Sequence, residues 1–82
     1  MSGASMKLSI LTIDKPLFEG EAISVSLPGI YGRLQVLEHH IPLITALKKG
    51  TVRVETSEGM QEFFVESGTL EVRPEEVNVL VS

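Results

Sequence analysis

Eighty-two residues leave room for one domain and one modest core. Apolar side chains make up 43% of the chain, too many for a disordered tail, and a formal charge of −4 offers no basic face to neutralise nucleic-acid phosphates. Cysteine is absent, which excludes disulfides and thiolate metal sites, and no apolar run approaches the ~18 residues of a membrane-spanning helix.

Residues 1–6 are mostly small and polar and read as a disordered lead-in or expression remnant, with one domain over 7–82. Strand signals follow in close succession. Lys7 to Ile13 is rich in aliphatic and β-branched residues and stops at the turn signal Asp14-Lys15-Pro16. Leu17-Phe18 is expected to tuck inward before Gly20. Glu21 to Leu27 alternates, with Ile23, Val25 and Leu27 on one face and Ala22, Ser24 and Ser26 on the other, and ends at Pro28-Gly29.

Gly32 to Gly50 opens as a strand, with Leu34 and Val36 pointing one way and Arg33 and Gln35 the other. It breaks at Glu38-His39-His40, and a proline-bearing apolar run, Ile41 to Leu47, leads to Lys48-Lys49-Gly50. Thr51 to Thr56 buries Val52 and Val54, Ser57-Glu58-Gly59 makes a hairpin turn, and Phe63 and Val65 point inward with Phe64 on the opposite face. Leu70 with Val72, then Val77, Val79 and Val81, complete the inward rows. The pattern predicts an all-β fold, an antiparallel sandwich or small barrel of about eight to ten short strands.

Catalytic constellations are missing from the pattern. No G-x-S-x-G elbow occurs, and Gly29-Ile30-Tyr31-Gly32 lacks the lysine and following helix of a phosphate loop. Neighbouring residues of an extended segment point to opposite faces, so His39 and His40 cannot jointly grip one metal without a bend. Glu38 and His40 share a face there, but a surface or interface histidine is the simpler reading. The residues alone favour a binding or scaffold role without catalytic, cofactor or metal residues. The alternative is a stand-alone small β-barrel that binds a ligand, although one tyrosine, three phenylalanines and acidic charge equip it poorly for oligonucleotides.

The stretch GRLQVLEHHIPLITALKKG is similar to the N-terminal domain of the F-type ATP synthase epsilon subunit family. His40, Pro42, Leu43, Thr45, Ala46, Leu47, Lys48 and Gly50 stand where that family's pattern has its own residues. Leu8 to Thr12, Phe18 to Glu21, Glu62 to Val65, Ser67 to Pro74 and Asn78 to Val81 resemble further family motifs in the same order. The resemblance implies a ten-stranded sandwich at the foot of the rotating central stalk, bound to the gamma subunit and resting on the polar loops of the c-ring. It implies gamma-facing roles for Thr12, His40 and Thr45, which flank an apolar patch containing Ile41 and Leu43, and a c-ring contact at Tyr31 and Arg33. Ordinary strand positions are the competing reading of Thr12 and Thr45.

Three departures from the family pattern fall in this same stretch: Arg33 for a glutamate, Gln35 for a glycine, and Glu38-His39 for Pro-Gly. Family members continue into a pair of C-terminal helices that in some cases bind ATP; this chain is expected to carry neither that hairpin nor an ATP site. The implied location is peripheral, on the cytoplasmic face of a bacterial inner membrane, or cytosolic when unassembled.

Overall fold

Period-two alternation is what builds the molecule, because each strand can bury only one of its faces. The structure is a computed structural model describing residues 5–38 and 41–82. The described residues form nine strands: β1 (Met6–Leu11), β2 (Pro16–Ala22), β3 (Ser24–Gly29), β4 (Gly32–Leu37), β5 (Leu43–Leu47), β6 (Gly50–Thr56), β7 (Gly59–Val65), β8 (Gly68–Val72) and β9 (Glu76–Val81). The all-β expectation and the strand number both hold.

Hydrogen bonding runs in the order β2-β1-β9-β8-β5-β3-β6-β7, with β4 on the other side of β3. This sheet is folded over into two layers, β2-β1-β9-β8-β5 and β4-β3-β6-β7. Their inner faces share one core: Leu8, Ile10, Leu70, Val72, Val77 and Val79 from the first, with Val25, Leu27, Val36, Val52, Val54 and Val65 from the second. At the open side, Phe18 of β2 meets Phe63 of β7 edge to face, with ring centroids 6.4 Å apart.

The antiparallel arrangement expected from the sequence has one exception. β1 and β9 run parallel, Leu8 opposite Val77 and Ile10 opposite Val79, while the other strand pairings are antiparallel. Alternation reports which face is buried but not the direction of a neighbour far along the chain. The strand expected over Glu21 to Leu27 is also divided. Ala22 closes β2 beneath Met6 of β1, and Ile23 passes to the second layer, donating its N–H to the Glu55 carbonyl at 2.7 Å. Crossing between layers shifts the phase, so Ala22, Ser24 and Val25 are all buried. The Ser24 hydroxyl is satisfied by Glu55 Oε1 at 3.2 Å.

The layers are joined at a corner between β5 and β6. β3 advances three residues, from Ser26 to Gly29, while its partner spans six, from Leu47 to Arg53. The surplus is the Lys48-Lys49-Gly50 bend, a strand switching sheets through an irregularity. Glycine is required there: a Cβ at residue 50 would lie 2.9 Å from Cβ of Pro28. The two lysines before it are solvent-exposed.

Candidate functional site

Both outward faces mix charged and apolar side chains, but one row of the first layer carries no charge. On the second layer, register places Gln35, Ser26, Arg53 and Glu62 in one row and Leu37, Ser24, Glu55 and Met60 in the next. Arg53 pairs with Glu62 at 3.0 Å in full view of solvent, an ion pair of little energetic weight. On the first layer, one four-strand row reads Leu11, Leu80, Thr69 and Ala46, without a charge. The adjacent row reads Glu19, Ser9, Asn78, Glu71 and Ile44. Leu80 and Ile44 are 57% and 70% exposed, and Ile13, in the turn beyond Leu11, is 98% exposed. Leu11, Thr12, Ile13, Gly68, Leu80, Val81 and Ser82 line a shallow apolar groove at this end.

Thr12 belongs to that groove, but its hydroxyl is engaged in the β1–β2 turn. It donates to the Lys15 carbonyl at 2.7 Å and accepts from the N–H groups of Asp14 and Lys15 at 3.2 and 3.0 Å. This is a serine/threonine turn, in which a side chain replaces backbone partners. Thr12→Val should cost about 1 kcal/mol, the net worth of a solvent-exposed turn hydrogen bond or two, and Thr12→Ser should restore it. Urea unfolding, with amide exchange at Asp14 and Lys15, reads the effect.

Leu43 and Thr45 face the opposite way from Ile44. They stand opposite Val72 and Leu70 on β8, and Leu43 packs on the core. With Gly29, Tyr31, Gly32, Arg33 and Leu34 they line a second groove, between β4 and β5. Residues expected to meet two different partners therefore share one groove, while Thr12 lies in another. Ile41 precedes β5 and is 74% exposed. His39 and His40 lie outside the described residues.

Tyr31 sits at the tip of the β3–β4 hairpin, 94% exposed. The tip is tightly built. Gly29 pairs with Gly32, whose φ of +135° suits glycine, and a Cβ on Gly29 would come within 2.7 Å of the Gly32 carbonyl oxygen. The Ile30 N–H donates to the Ala46 carbonyl at 3.1 Å. Arg33 does not project from this tip. Its Nε donates to Ser26 Oγ at 2.9 Å and its Nη2 to the Thr51 carbonyl at 2.5 Å, laying the guanidinium along the outer face of the second layer.

Sequence reasoning passed over Ile13, Ile44 and Leu80. The signal was available in part: Leu80 and Ile44 are apolar residues at outward phases of otherwise alternating strands. The interior is filled by core side chains. Every buried side-chain nitrogen or oxygen among the described residues has a hydrogen-bond partner, so none is left aimed at a ligand. Among the described residues no three His, Cys, Asp or Glu side chains are grouped to hold a metal.

The chain matches the family model described as the beta-sandwich domain of the ATP synthase delta/epsilon chain over residues 5–82, and it belongs to that family. Its fold is that of a chain in the mitochondrial ATP synthase of Euglena gracilis (OSCP/F1/c-ring, rotational state 1), with a TM-score of 0.88 at 18% identity over 99% of this chain and 52% of that one. A chain from the central stalk and c-ring of the Tetrahymena thermophila mitochondrial ATP synthase gives 0.79 at 11% identity, over 99% of this chain and 66% of that one. This chain thus spans about half to two thirds of the length of those neighbours.

Proposed function

We propose that this chain is a non-catalytic central-stalk component of a rotary ATP synthase, joining the ion-driven c-ring to the gamma subunit so that rotation reaches the catalytic head. Membership of the delta/epsilon family supports the complex. The observation that carries the docking role is the uncharged row Leu11, Leu80, Thr69 and Ala46 across β1, β9, β8 and β5, flanked by the exposed Ile13 and Ile44. The gamma-facing surface is built on the first layer, taking in Thr12, Ile13, Ile44 and Leu80, and extends around β5 to Ile41, Leu43 and Thr45; His40, outside the described residues, is proposed as a gamma contact from the family motif alone. An interface of ordinary size takes roughly 800 Å² from each partner, about 15% of the 5221 Å² this chain exposes. One row of four residues is too small for that, which is why the surface must continue around the β5 edge. Tyr31, at the rigid tip, is the contact to the polar loops of the ring. No ATP site is part of this reading, and attachment to the membrane is peripheral, through the complex.

Titration calorimetry of the chain against the gamma subunit of the same synthase tests the reading. A one-to-one complex is expected, with the negative heat-capacity change of apolar burial. No detectable heat and no co-elution would overturn it.

A further inference from the structure

We propose that Arg33 is a positioning residue, which ties the β3–β4 tip to the corner of the sandwich so that Tyr31 is presented in one orientation; its use at the ring rests on the reading above. Arg33 follows Gly32 directly, two residues from Tyr31, and pairs with Pro28. Its side chain crosses β3 at Ser26 and ends at Thr51, next to the Gly50 bend. Pro28 lies close against Gly50, and beyond the last β3–β6 pair, Ser26 with Arg53, the Thr51 carbonyl takes a hydrogen bond from the guanidinium. Nη2 also lies 3.5 Å from the Ser26 carbonyl. One side chain thereby links β4, β3 and β6 at the point where the two layers join.

The geometry requires a fork. Nε and Nη2 reach different acceptors on different strands at the same time, which a guanidinium does without further loss of freedom and a single ammonium cannot do. A cation directed at a partner's acidic group would project from the tip; here it is folded back on its own protein. The residue that does project is Tyr31, a large side chain with little rotamer freedom on a tight turn.

The chain supplies its own probe. Tyr31 is the sole tyrosine and there is no tryptophan, so near-ultraviolet emission reports on the tip alone. Time-resolved anisotropy of Tyr31 in the wild type, Arg33→Ala and Arg33→Lys reads nanosecond motion of that side chain, with thermal melts confirming that each variant is folded. Both variants should raise the amplitude of the fast depolarisation about twofold, on the time scale of freed loops. Both should weaken binding to the purified c-ring by about tenfold, and neither should add to the loss in a Tyr31→Ala background. Unchanged anisotropy in Arg33→Ala overturns the positioning role. Full ring binding by Arg33→Lys overturns it as well, because charge alone would then suffice. A larger fast depolarisation together with ring binding that Tyr31→Ala leaves untouched supports the positioning and overturns the ring contact.

Discussion

Leu70→Ala should destabilise the domain by about 3 kcal/mol, within the range for emptying a fully buried leucine site. Leu70 is fully buried at the centre of β8, with Thr45 of β5 on one side and Val79 of β9 on the other. The whole domain has on the order of 5 to 12 kcal/mol of stability to lose, and the melting temperature should fall by roughly 15 °C. Urea unfolding should show a lower midpoint with an unchanged slope, since the surface exposed on unfolding is the same. A midpoint that moves by less than a third of the expected shift would mean that the layers close over the vacancy. Because Leu70 stands opposite Thr45, the groove between β4 and β5 should loosen with it.

Leu80→Asp should leave the fold intact and weaken gamma binding by about a hundredfold, near 3 kcal/mol. Leu80 is more than half exposed in the free domain, so the carboxylate is solvated there. Once a partner covers the row formed with Leu11 and Thr69, the same carboxylate is buried without a cation in register, and an unpaired buried charge costs several kcal/mol. Gln35→Asp, on the outer face of the second layer, serves as the control and should bind gamma as the wild type does. Equal affinities for Leu80→Asp and wild type would place the gamma contact elsewhere on the molecule.

Strand content was legible because burial of one face imposes a period of two, and Val52, Val54, Val65, Leu70, Val72, Val77, Val79 and Val81 obey it. The failures fall where the chain changes layers. At Ile23 the phase shifts by one residue, since Ala22 faces the core from the first layer and Val25, three residues on, faces it from the second. The parallel meeting of β1 and β9 was invisible for another reason: local pattern carries no information about a neighbour almost the whole chain away. Family motifs led to Thr12, Thr45, Tyr31 and Arg33, but side-chain direction decides what each can do. Arg33 turns back to Ser26 and Thr51, and the Thr12 hydroxyl is used within its own turn. Ile44 and Leu80 escaped notice because an apolar residue at a single outward position is ordinary; it is the register across four strands that makes them a surface.

The pairing of the first strand with the last has a consequence for how the domain comes into being. β1 leaves the ribosome early but has only β2 beside it until β9 has been made, because β9 is what joins it to β8. Leu8 and Ile10 stay without Val77 and Val79 throughout that interval, and the β2–β1 hairpin, with an open edge, is exposed to pairing with other chains. The sheet therefore closes only once β9 has been made, and closing so long a loop makes the step slow. Lys7 on β1, with Glu19 and Glu21 on the strand beside it, gives that waiting hairpin the charges that discourage wrong partners.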